Sequence, residues 1–164
     1  MDEAVFWAMI ENAWSAHPSV AAKRRGLLDM SSPNRQALAA EIEEGCGAMI
    51  DTLRGRLSEL EERDLLEFDR ILERTLHRLD RRDIHRVVDG SDDGFLYCRG
   101  FIVAVGRECF EAVDSDPPRA VTGVWCEPMA YVSMRVMDDR FGADAWTPSE
   151  ISRESFTNAT GWRS

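Results

Sequence analysis

The chain has 164 residues, 44% apolar and 30% charged, enough for one domain with its own core. Its 20 Lys and Arg stand against 30 Asp and Glu, a net charge of −10 that repels nucleic-acid phosphates and anionic membranes and draws in a basic partner. No apolar run reaches the roughly 20 residues of a membrane-spanning helix, and the acidic opening "MDEAVFWAMI" lacks the basic start of a signal peptide, so a cytoplasmic protein is expected.

Residues 2–16 read as a helix, with Val5, Phe6, Met9, Ile10, Ala13 and Trp14 at helical spacing. Pro18 ends it, and residues 17–34 are mixed, with the basic "KRRG" read as a loop or short helix. Leu38, Ile42, Cys46, Met49, Leu53, Leu57 and Leu60 then form one continuous apolar stripe. Gly45, Gly47 and Gly55 weaken that helix and favour a place inside a compact bundle over a coiled coil. A break near residues 61–64 precedes a second stripe, Leu65, Phe68, Leu72, Leu76 and Leu79, with Asp64 as the expected N-cap. Residues 81–89 suit a shorter helix.

The stretch "GSDDGFLYCRG" comes next. Ser91, Asp92 and Asp93 have the residue types of an N-cap and first turn. Beyond them Phe95, Cys98, Phe101, Ile102, Val103, Val105 and Cys109 are apolar almost all round, the pattern of a central helix, with an interruption at Gly106. "FIVAV" at 101–105 also suits a buried strand, but it sits inside a helical pattern. "DSDPPR" reads as a turn, and Met129, Val132, Val136 and Met137 mark a last helix ending at Gly142. The expected fold is therefore all-α, a single-domain bundle over residues 1–142. Residues 143–164 form a C-terminal tail, irregular or packed on the domain.

No phosphate loop, nucleophile elbow, zinc signature or CxxC pair is present, so no catalytic residue, metal or cofactor is assigned. Asp92 and Asp93 could bind a cation or act as acid and base; N-capping explains the same residue types more simply. His77, Asp80, Asp83, His85 and Asp89 form a loose cluster, but Arg78, Arg81, Arg82 and Arg86 interleave and neutralise it. The four cysteines, Cys46, Cys98, Cys109 and Cys126, fall among apolar residues and read as buried free thiols. Trp7 and Trp14 share a helix face and belong to the core. Trp125, Trp146 and Trp162 lie outside the stripes and are candidates for an interface.

Phe6 and Trp7, then Ser91, Asp92, Asp93, Gly94 and Phe95, then Arg99, Gly106 and Phe110 resemble the signature of a bacterial family known as domain of unknown function 4240. The resemblance spans residues 1 to about 142 and implies no established activity. The chain departs from the family after the motif's Phe, where Cys98 and Gly100 replace bulky aromatics. Two functions follow from the sequence. The first is an acidic helical module, regulatory or immunity-like, that binds a basic protein. The alternative is a small enzyme or ligand-binding domain with a pocket at the 91–94 turn. There Asp92 or Asp93 would serve as base or cation ligand, Arg99 would hold an anionic group and His85 would assist.

Overall fold

The computed structural model describes every residue except 89, 90, 143, 144, 146, 148 and 164. Asp89 and Trp146, singled out above, lie outside the described residues. In chain order the elements are α1 (Glu3–Ser15), α2 (Pro18–Ala21), a 3₁₀ turn (Arg24–Leu28), α3 (Arg35–Leu57), α4 (Glu62–Arg78), α5 (Arg82–Val88), α6 (Asp92–Val105), α7 (Arg107–Ser115), a second 3₁₀ turn (Pro117–Arg119), α8 (Glu127–Phe141) and α9 (Ala159–Trp162). Among the described residues there is no strand, and the "FIVAV" run is helical. The fold is an all-α bundle.

The apolar stripes decide the packing. Leu65, Phe68, Leu72 and Leu76 on α4, and Ile42, Met49, Leu53 and Leu57 on α3, are fully buried. Both helices pack on α8, which also lies along α6. In α6 Phe95, Leu96 and every residue from 98 to 105 are buried, so the nearly all-round apolar helix is central. Trp14 ties α1 to its end, its indole N–H donating to the Ala104 carbonyl at 2.7 Å. Phe6, Trp7 and Phe110 form one aromatic group with Phe68, ring centroids 4.8 to 5.3 Å apart.

Gly106, with φ 119°, turns the chain between α6 and α7. A Cβ there would strike the Glu11 carboxylate and the Arg24 guanidinium. Gly45 admits Val20, whose Cγ1 would lie 2.9 Å from an added Cβ, whereas Gly47 and Gly55 face open space. Helix α4 begins two residues before Asp64, which therefore sits in the first turn and not at the N-cap. Glu61 takes the cap position without a side-chain bond. The helix dipole favours a carboxylate in either place.

Candidate functional site

Ser91 caps α6, its Oγ accepting the Gly94 N–H at 3.3 Å. The side chains of Asp92 and Asp93 are exposed beside it. Arg99 lies two turns further along and is fully buried. It donates to the Leu76 carbonyl at 2.9 Å and to Ser155 Oγ at 3.0 Å, and its guanidinium stacks 4.7 Å from the Phe95 ring. Burial pulls the Arg99 pKa down to about 10, and the neighbouring Asp80 carboxylate works against that shift. His85 packs edge-on against Phe95, Phe156 and Trp162, with centroids 4.9, 5.7 and 5.5 Å away. The structure thus brings Arg99 and His85 together around Phe95, and leaves the two carboxylates at the rim.

What fills the space between them is the chain's own C-terminus. Asp80 is fully buried. Its Oδ1 accepts the Phe156 N–H at 2.9 Å and the Trp162 indole N–H at 3.0 Å. Its Oδ2 accepts the N–H groups of Thr157 and Asn158 at 2.7 and 2.8 Å. The Ser155 hydroxyl bridges Arg99 to the Asp92 carbonyl, to which it donates at 2.6 Å. Arg153 is buried against Asp69 of α4, with one guanidinium nitrogen 2.8 Å from both carboxylate oxygens. The same arginine caps the Ala130 carbonyl at 2.6 Å. Ser133 donates to Asp69 at 2.7 Å, and Ser149 donates to Glu73.

The sequence gives one clue to this strap. Asp69, Glu73 and Asp80 each follow a core residue directly (Phe68, Leu72, Leu79), so charges are placed at the edge of an apolar stripe. A buried charge requires a partner, but nothing in the aperiodic tail identifies Arg153 as that partner. Among the described residues, no group of three His, Cys, Asp or Glu could hold a metal ion. All four cysteines are free and buried. Burial pushes the Cys98 thiol up to about 11 and Cys109 up to about 12. Cys46 is held well above the ordinary thiol range by its hydrogen bond with Cys126 and by burial.

Two features lie outside the strapped region. A groove of about 940 Å³ runs between α1, the 3₁₀ turn and α7, lined by Ala4, Trp7, Ala8, Arg24, Val105 and Cys109 among others. On another face Trp125 is 56% exposed although Val124 and Cys126 on either side are buried.

Neither a curated protein nor a solved structure matches the chain. Residues 1–137 match the family described as protein of unknown function, DUF4240. That span includes α1 to α7, most of α8, and every strap partner on α4 and α6, and it stops before the strap itself. The chain belongs to the DUF4240 family.

Proposed function

We propose that the chain is a protein-binding module, regulatory or immunity-like, whose partner is a basic protein. The observation that carries this reading is the net charge of −10, with Asp92 and Asp93 among the carboxylates that stay exposed. A carboxylate-rich exterior accelerates encounter with a cationic surface and disfavours acidic competitors. Exposed charges act through solvent, so the association is salt-sensitive. With the tagged chain as bait, a stoichiometric partner of high pI is expected at low salt and is lost at high salt. Retained proteins no more basic than the background would refute the reading.

The groove beside α1 favours a second reading, a binding site for a small molecule. Its volume is in the range of ligand pockets and Trp7 supplies an apolar wall. A small molecule that copurifies with the native chain, in the absence of any protein partner, would favour this reading over the first.

A further inference from the structure

Two tyrosines and a set of carboxylates lie together where the N-terminal halves of α6 and α8 meet, and the exposed Trp125 adjoins the backbone link between the two helices. Tyr97 lies one turn beyond Asp93 on α6, and Tyr131 lies one turn beyond Glu127 on α8, spacings that put each pair on one helix face. The Cys126 N–H donates to the Tyr97 carbonyl at 2.9 Å and closes the two helices together. Trp125 precedes that link and projects into solvent. Its own N–H donates to Glu43 Oε1 at 2.8 Å. Both phenols sense the carboxylates. Partial burial raises Tyr97, followed by Glu127, Asp93 and Glu154; burial raises Tyr131, followed by Glu154. Arg135 stands 3.6 Å from Glu127, and both of those side chains are exposed.

The backbone that presents Trp125 is held from three sides. Glu43 and Tyr97 hold it by hydrogen bonds. Gly100 lets the Cys126 carbonyl approach so closely that an added Cβ would lie 2.5 Å from its oxygen. Gly100 therefore belongs to the machinery that positions Trp125. A large aromatic on a fixed backbone loses little entropy on binding, which is the property of an interface anchor.

We propose that this face, built on Tyr97, Trp125, Tyr131, Asp93 and Glu127, docks an arginine-bearing basic segment of a partner protein. It rests on the protein-binding reading above and gives that reading its site. The residue types select arginine over lysine. A guanidinium stacks on aromatic rings, sheds water more readily than an ammonium, and pairs with carboxylates through a fixed fork of donors. The carboxylates exclude phosphate-bearing partners by the same charge.

The test uses the full chain and two basic peptides of equal length and charge, one built on arginine and one on lysine, titrated calorimetrically at low salt. The arginine peptide is expected to bind more tightly by ~5-fold or more, and Trp125→Ala and Glu127→Gln each to weaken it by a similar factor. Glu59→Gln, in the turn after α3 whose Leu60 carbonyl accepts from Arg140 near the far end of α8, removes the same charge and is expected to change affinity less than ~2-fold. Equal binding of the two peptides, or equal losses from Glu127→Gln and Glu59→Gln, overturns this face; salt-sensitive binding that persists then leaves the protein-binding reading standing on diffuse charge. No binding of either peptide at low salt overturns both. Thermal melts of the variants are expected to match the parent, because Trp125, Glu127 and Glu59 are all exposed.

Discussion

Replacing Asp80 with Asn tests whether the C-terminal strap is fastened by one carboxylate. The two oxygens of Asp80 accept four N–H groups, from Phe156, Thr157, Asn158 and the Trp162 indole. An asparagine amide keeps one accepting oxygen and turns the other site into a donor facing donors. Whichever way it lies, two of the four N–H groups lose their partner. Hydrogen bonds to a charged group contribute ~1.5–3 kcal/mol each, so the lost pair sets a ceiling of about 3–6 kcal/mol. Release of the strap lowers that ceiling, because all four donors lie within residues 156–162 and can return to water together. Release also frees Phe156 from its left-handed backbone, φ 67°, a gain of about 1 kcal/mol. The expected loss of unfolding free energy is therefore ~2–4 kcal/mol by denaturant titration. Hydrogen exchange gives the sharper readout. The amides of Thr157 and Asn158 are expected to lose their protection while those of α6 keep theirs, the mark of local opening. A loss below ~1 kcal/mol with Thr157 and Asn158 still protected would refute the clamp.

Asp69→Ala leaves Arg153 a buried cation without its main counter-charge and is expected to cost ~3–5 kcal/mol by the same titration; adding Arg153→Met is expected to recover part of that loss. Gly100→Ala forces a methyl against the Cys126 carbonyl and is expected to cost ~1–3 kcal/mol in denaturant titration, with a shift in Trp fluorescence as Trp125 moves. Ser91→Ala removes the α6 cap and is expected to lower stability by ~1 kcal/mol, more than Asp93→Ala, whose carboxylate only favours the dipole. The Cys109 thiol, raised from 9.0 to about 12, keeps its proton longer in the folded chain than in the unfolded one. Its stabilisation is thus present below pH 9 and lost as pH rises through about 12. The depressed Arg99 acts in the opposite sense above about 10, so the measurement is the difference in alkaline stability between the parent and Cys109→Ala, expected to be largest below pH 9.

The long helices were legible because they carry periodic apolar faces, whereas α2 and α9, four residues each, bury no residue and left no such pattern. Most of the stripe residues of α3 and α4 are buried, although Leu38 is only half-buried and Ala39, Ile50 and Ile71 are buried outside the stripes, and α6 reads as central because its core residues go round it. The end of α3 was less legible. Leu60 keeps the spacing of the stripe and packs partly on the core, yet the helix stops at Leu57. The last N–H groups bond three residues back, Glu59 to Arg56 and Leu60 to Leu57, a tightened turn that lets the apolar pattern outlast the α-helix. The role expected for Arg99, holding an anionic group, fits its charge. In the folded chain its two terminal nitrogens meet a carbonyl and a hydroxyl and its face meets Phe95, while its buried Nε has no hydrogen-bond partner among the described residues. A single sequence shows that an arginine stands on a helix, but not that a segment 56 residues later supplies the oxygen.

The strap also explains why polar residues stand so near the core of α4 and α6. Asp69, Glu73, Asp80 and Arg99 lie within the family match, and Ser149, Arg153, Ser155 and residues 156–158 lie beyond it. Four charges inside a family domain are thus completed by a segment outside the matched span. Burying an ionised side chain unpaired costs several kcal/mol, far more than a surface loop gains by lying loosely on a domain. The buried acids therefore require donors, and Arg99 an acceptor, from this segment or from another chain in its place. Three of the strap's hydrogen bonds, all to Asp80, come from backbone N–H groups, which any extended peptide offers. Specificity for this segment comes from its side chains: Arg153 meets Asp69 and the Ala130 carbonyl together, and Ser149, Ser155 and Trp162 add their own donors. Among the described residues, the strap hydrogen-bonds to the 91–94 turn only through the Asp92 carbonyl and leaves both aspartate side chains exposed, and Trp125 is the most exposed aromatic.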